Sequence, residues 1–281
     1  MELLKTIREL QQLLTQDRNS GLSIGFVPTM GALHQGHLSL VERAGRENDR
    51  AVVSIFVNPN QFNDPNDLKN YPRTLEADLK LLSTFPCDYI FSPEVTEIYP
   101  DPDTRKFDFG SLGTVMEGQF RPGHFNGVAQ VVSRLFEIVG PDKAYFGLKD
   151  FQQYAIIRNM VAQMRFPTEI IGCDTIRETD GLAMSSRNAL LTQSHRAVAP
   201  QIYRILQEAR KEAGTYTPEE VKKHVTEKIN AIGLLRIEYF EIADELTLRP
   251  VTAWEEKGTK VGCIAVYAGS VRLIDNIVFD K

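Results

Sequence analysis

Cysteine and tryptophan are scarce in this 281-residue chain, with three and one copies, and basic charge is outnumbered, 32 Lys+Arg against 37 Asp+Glu. Cys87, Cys173 and Cys263 are widely separated and form no C-x-x-C pair, so they read as small hydrophobes of a reducing compartment. A net charge of −5 leaves no electrostatic footprint for nucleic acid or an anionic membrane, so any bound anion must be gripped by a local constellation. Long apolar runs are missing too. The longest, 51–57, has strand length and falls far short of the roughly 18–20 residues that span a bilayer. Residues 1–10 carry charges inside their apolar stretch and lack a signal-peptide core, which makes the cytoplasm the expected location. There is no internal repeat and no low-complexity segment. What is present, 42% apolar and 25% charged residues, is the composition of a folded globular chain, and the length suggests two domains.

Leu3, Leu4, Ile7, Leu10, Leu13 and Leu14 recur at helical spacing and predict an amphipathic helix over 2–15, punctuated by Asn19-Ser20-Gly21. A regular alternation follows: strand 23–27, helix 36–46, strand 51–57, helix 73–84 and strand 88–91. The stretch 93–123, rich in Pro, Gly and Asp, reads as an irregular insertion. Helix 125–139, strand 144–148, a helix opening at Asp150 and strand 169–173 resume the pattern. The apolar clusters of these strands lack a polar face, as expected when both sides are covered. Alternating strands and helices predict an α/β fold with a doubly wound parallel sheet over residues 1–175, which binds ligands at the carboxyl ends of its strands. Beyond about 176 the order changes. Helices 193–212 and 218–231 precede strands 237–242, 261–267 and 271–279, the last two meeting across Ala268-Gly269-Ser270 as a hairpin. Residues 176–281 therefore read as a second, smaller α+β domain.

Four polar motifs follow predicted strands. In Pro28-Thr-Met-Gly-Ala-Leu-His-Gln-Gly-His37, two glycines allow close backbone approach and the opening helix offers free N–H groups to an anion. His34 and His37 can face one ligand there, binding a phosphate oxygen or giving a proton to a leaving group, although an isolated H-x-x-H is more often a solvated turn. The segment is not a P-loop, because the Lys and Ser/Thr after Gly36 are missing. Gly21-Leu-Ser-Ile-Gly25 matches G-x-S-x-G by letter but precedes a strand, the wrong place for a nucleophile elbow. Asn58-Pro-Asn-Gln-Phe62 offers carboxamides to a small polar substrate, or is ordinary loop chemistry. In Gly147-Leu-Lys-Asp150, followed by Gln152 and Gln153, Lys149 suits a phosphate and Asp150 suits a helix cap. Ser185-Ser186-Arg187 supplies two hydroxyls and a forked cation, a phosphate clamp or a polar linker. Arg121-Pro-Gly-His-Phe-Asn-Gly127 reads equally as a flexible lid or a ligand contact.

These segments, in this order and over essentially the whole chain, resemble the pantoate–β-alanine ligase (pantothenate synthetase) family of the H-x-G-H nucleotidylyltransferase superfamily. The resemblance implies a Rossmann-like N-terminal domain carrying most of the site and a smaller C-terminal lid. It implies a cytoplasmic homodimeric ligase of coenzyme A biosynthesis, with ATP as co-substrate, Mg2+, and no nucleic-acid or membrane partner. (R)-pantoate would condense with β-alanine through a pantoyl adenylate, releasing AMP and pyrophosphate. By the same resemblance Met30, Gly31, Ala32, Leu33, His34, Gln35, Gly36 and His37 line the ATP site, with His37 the proton donor and His34 a phosphate or ribose contact. Gly147, Leu148, Lys149 and Asp150 contact ATP, with Lys149 on its phosphates. Ile176 lies on the adenine side, and Met184, Ser185, Ser186 and Arg187 close over the phosphates. Gln61 holds pantoate and then β-alanine, Gln153 binds pantoate, and no metal ligand is assigned.

Related adenylating enzymes often carry K-M-S-K-S where this chain has Ala183-Met-Ser-Ser-Arg187, so Arg187 and Lys149 must supply the cations. Three other readings compete. The carboxamides Gln61 and Gln153 argue against transfer of AMP onto a phosphate ester, and the net charge of −5 argues against a tRNA-dependent ligase. A nucleotide-sensing module would bind ATP without releasing pyrophosphate.

Overall fold

The computed structural model describes residues 1–62 and 65–279. The chain divides into two compact units: Met1–Phe109, Arg121–Leu148 and Ile156–Asp174 form the first, and Gly110–Phe120, Lys149–Ala155 and Thr175–Lys281 the second.

The first unit is built on a parallel sheet of β1 (Glu2–Leu4), β2 (Ile24–Thr29), β3 (Arg50–Ile55), β4 (Tyr89–Phe91), β5 (Lys143–Gly147) and β6 (Glu169–Cys173), in the order β1-β4-β3-β2-β5-β6. Helices α1 (Ile7–Asn19), α2 (Gln35–Glu47), α3 (Pro65–Asn70), α4 (Leu75–Leu82), α5 (Val95–Ile98) and α7 (His124–Val139) belong to this unit; α6 (Glu117–Phe120) falls in the second. From β2 the chain steps outward through β3 to β4, whereas β5 joins the other side of β2. That reversal of strand order makes the carboxyl ends of β2 and β5 the crevice where doubly wound sheets bind ligands. Val27, Leu38, Val41, Val53, Ile90 and the fully buried Tyr145 form a core cluster between α2 and the sheet, under the turn.

The second unit holds an antiparallel sheet of β7 (Leu235–Asp244), β8 (Lys260–Ala268) and β9 (Val271–Phe279), in that order. Helices α10 (Gln201–Glu212) and α11 (Pro218–Asn230) lay Ile202, Leu206, Val221 and Val225 against Phe240, Ile264 and Val266. The α/β reading, with a parallel sheet and a separate smaller α+β sheet, holds.

The sequence reading omits α3 and departs from the structure in three further stretches. Residues 2–4 are strand rather than helix, because Thr6 and Glu9 form a reciprocal capping box that starts α1 at Ile7 and frees Glu2–Leu4 to pair with Tyr89–Phe91. The single helix predicted over 193–212 is two, α9 (Gln193–Val198) and α10, interrupted around Pro200, which has no N–H to give. The irregular stretch 93–123 contains α5, α6 and a 3-10 turn at Gly110–Gly113. All three cysteines are buried, and burial pushes the thiols of Cys87 and Cys263 up to about 12, so both stay protonated at neutral pH.

Candidate active site

The turn from β2 into α2 is held from below by one carboxylate. Gly31 has φ +80° and Ala32 φ +51°, so two successive residues lie in the left-handed region, one of them carrying a Cβ. The N–H groups of Ala32 and Leu33 both donate to Asp78 of α4, at 3.0 and 2.8 Å, and Thr74 donates its hydroxyl to the same carboxylate. Gly31 donates to Thr29 Oγ1, which itself donates to the Ser54 carbonyl of β3. Asp78 is 1% exposed, so removing its carboxylate strands one buried and one half-buried donor. Asp78→Ala is expected to lower stability by about 1.5–3 kcal/mol for each lost charge-assisted bond. An unchanged denaturant midpoint would show that the turn holds itself.

His34 is the N-cap of α2: its Nδ1 accepts from Gly36 N–H at 3.1 Å, and the Nδ1 of His37 accepts from His34 N–H at 3.3 Å. A backbone N–H can only donate, so both Nδ1 atoms are acceptors and the proton of each neutral ring sits on Nε2. The rings lie 4.1 Å apart between centroids, tilted by 36°. This cap therefore presents His37 as a hydrogen-bond donor through Nε2.

Gln61 reaches the same turn, its Nε2 lying 2.8 Å from Met30 Sδ. It ends a 3-10 turn, Pro59–Gln61, whose cap Asn58 is 1% exposed. Asn58 donates to the Gly127 carbonyl at 3.0 Å and accepts from the Tyr99 hydroxyl at 3.0 Å. Burial pushes the Tyr99 phenol well above its ordinary range, so it remains a donor. His124, also buried, hydrogen-bonds the Gln61 carbonyl through Nδ1 at 2.8 Å. At Gly127 a Cβ would lie 2.2 Å from the Asn60 carbonyl oxygen, so only glycine lets α7 lie this close. Residues 124–127 of the segment read as lid or ligand contact thus form the first turn of a packed helix that seats Gln61.

In this unit the structure brings Met30, Gly31, Ala32, Leu33, His34, Gln35, Gly36 and His37 together with Gln61, and places Gly147 at the end of β5, with Leu148 opening the 3-10 turn that follows. The second unit holds the other predicted residues. Lys149 and Asp150 complete the 3-10 turn Leu148–Asp150, half-buried and exposed respectively, and Gln153 lies half-buried in α8 (Phe151–Met164). Its neighbour Gln152 is scaffold: it donates to the carbonyls of Leu112 and Val115 and accepts from Glu117 N–H. Ile176 and Met184 are joined by a 3.0 Å backbone bond across a small hairpin, in which Arg177 bridges Ala183. Ser185 then caps the 3-10 turn Ser186–Leu190, accepting from Arg187 N–H at 3.2 Å. Sequence reasoning missed Asp78, whose only sign is an acid inside a helical pattern, and the polar pair Asp275-Asn276 inside β9.

A doubly wound parallel sheet whose strand-to-helix turn offers helix amides and two imidazoles is the arrangement of an anion-binding site in an α/β enzyme. A family model described as Pantoate-beta-alanine ligase matches residues 2–278, and the chain belongs to that family. Curated relatives include the pantothenate synthetases of Porphyromonas gingivalis, 54% identical over 280 residues, and Bacteroides fragilis, 56% identical over 281, each covering 100% of both chains. Among solved structures, pantothenate synthetase from Thermus thermophilus aligns with a TM-score of 0.92 at 44% identity, over 99% of each chain. Pantoate-beta-alanine ligase from Francisella tularensis, complexed with beta-gamma ATP and beta-alanine, aligns with a TM-score of 0.83 at 37% identity, over 100% of this chain and 98% of that one.

Proposed function

We propose that this chain condenses (R)-pantoate with β-alanine at the cost of ATP, by way of pantoyl adenylate. The observation that carries the reading is the α2 cap, which aims two Nε2–H donors and the helix amides from the crevice at the end of β2. In the first step a pantoate carboxylate oxygen attacks the α-phosphorus, the bond to the bridging oxygen breaks, and pyrophosphate leaves. In the second, the free amine of β-alanine attacks the acyl carbon, the bond to AMP breaks, and the amine proton passes to solvent. The substrate supplies the nucleophile. The protein's work is alignment and charge neutralisation.

In this reading His37 is the proton donor, His34 contacts a phosphate or the ribose, and Lys149 and Arg187 offset phosphate charge. Gln61 orients pantoate and then β-alanine, Gln153 binds pantoate, and Met30, Gly31, Ala32, Leu33, Gln35 and Gly36 with Gly147, Leu148, Asp150, Ile176, Met184, Ser185 and Ser186 complete the ATP contacts. Residues 1–175 carry nucleotide and pantoate binding, and 176–281 act as the lid that keeps water from the adenylate. Magnesium enters as the substrate MgATP, since Mg2+ retains waters and takes phosphate oxygens rather than a protein cage. Among the described residues no group of three or more His, Cys, Asp or Glu could hold a metal ion. A cytoplasmic homodimer completes the proposal, and sedimentation velocity reads the subunit number directly. No helix among the described residues is long and apolar enough to cross a membrane.

The deciding experiment is ATP–pyrophosphate exchange with pantoate present and β-alanine omitted. Exchange that requires pantoate is the expected result. ATP binding without exchange would make the chain a nucleotide sensor instead.

A further inference from the structure

Asp and Asn are depleted in strands, yet Asp275 and Asn276 sit side by side at the middle of β9, ahead of the apolar Ile277, Val278 and Phe279. Their side chains leave opposite faces. Val271, Leu273, Ile277 and Phe279 face the apolar core, and Asp275 falls in that stripe, 5% exposed. It is matched there by Arg177, which donates from Nη1 and Nη2 at 2.6 and 2.9 Å and lies 3.4 Å over the Tyr203 ring. Asp275 Oδ1 also accepts from Asn276 N–H at 2.8 Å, which fixes the backbone of the next residue. Asn276 in turn donates from Nδ2 to the Lys149 carbonyl at 3.0 Å. The strand therefore grips, through two neighbouring side chains, the hairpin that leads to Ser185–Arg187 and the turn that carries Lys149.

We infer that Asn276 is a positioning residue for the adenylation step: it fixes the 3-10 turn Leu148–Asp150, and with it the ammonium of Lys149, while the Arg177–Asp275 pair fixes Asn276. A short turn following a strand has few bonds of its own, and a lysine on a four-carbon stem keeps its aim only if its backbone is still. The inference rests on the reading of Lys149 as a phosphate contact. Displacement of a catalytic group by about 1 Å costs on the order of 10²-fold in rate, and the expected effect is that size or smaller.

The test is a double-mutant cycle in the full chain, read as pantoate-dependent ATP–pyrophosphate exchange. Asn276→Asp keeps the shape and removes the donor, and Asn276→Ala serves as a second variant should the added charge disturb folding. Each is expected to lower kcat about 10–100-fold, with a much smaller change in the KM for ATP, and to have little further effect in a Lys149→Ala background. A general loosening of the fold would instead lower the rate by the same factor in both backgrounds, which overturns the inference, as does loss of fold in both variants. If Lys149→Ala is slow and the Asn276 variants match the wild-type chain, positioning alone fails. If Lys149→Ala exchanges normally, the phosphate reading of Lys149 fails and takes this inference with it.

Discussion

Replacing His37 by alanine is expected to slow pantoate-dependent pyrophosphate exchange by roughly 10²–10³-fold, the loss of about 2.7–4 kcal/mol of transition-state stabilisation from one pre-aimed donor. Two effects combine in that substitution, and the structure separates them. The ring accepts His34 N–H through Nδ1, so alanine also removes part of the α2 cap, a stability cost of about 1 kcal/mol. It removes the Nε2–H donor as well, and only that loss bears on the rate. A carboxamide can place N–H near the Nε2 position, so His37→Gln should retain distinctly more exchange than His37→Ala, whereas His37→Asn, whose short amide reaches only the Nδ1 position, should preserve the cap and little of the rate. Equal exchange rates for the Gln and Asn variants would dismiss the Nε2 donor. Exchange at the wild-type rate in His37→Ala would remove the residue from the chemistry altogether.

Lys149→Met should produce a loss of the same order, about 10²–10³-fold, by a different route. Methionine keeps most of the stem and deletes the charge, so the apolar part of the side chain still fills its half-buried place. In nucleotidyl transfer negative charge accumulates on the departing pyrophosphate. A cation there lowers the barrier more than it strengthens ground-state binding. The expected signature is a fall in kcat with a modest rise in the KM for ATP, and a melting temperature within a few degrees of the parent. A large rise in KM with kcat intact would make Lys149 a binding contact and nothing more.

How much of this was legible in the sequence depended on how local each determinant is. The predicted strands at 169–173 and 271–279 match β6 and β9, since their apolar runs are bounded by turn residues. The histidine pair could be read because three residues separate its members and one helix cap orders both. Asp78 could not, because its partners lie 45 and 46 residues earlier in the chain and its own surroundings spell an ordinary amphipathic helix. Asn276 is farther still, 127 residues from the carbonyl it holds. For β1, leucines at helical spacing pointed the wrong way, and the Thr6–Glu9 capping box carried the better signal. The role of Gln152 was hidden for a related reason. Its amide answers backbone carbonyls of a stretch that has no periodic pattern, so nothing in the letters distinguishes it from Gln153.

The missing side chain at Gly127 carries a lesson for transplanting or redesigning this pocket. Because one helix rests on bare peptide at Asn60, the turn bearing Gln61 is moulded by its neighbour as well as by its own cap. A graft of residues 58–62 onto another scaffold would inherit the letters without the mould, and a single methyl group at 127 would press on the Asn60 carbonyl and shift the turn that carries Gln61.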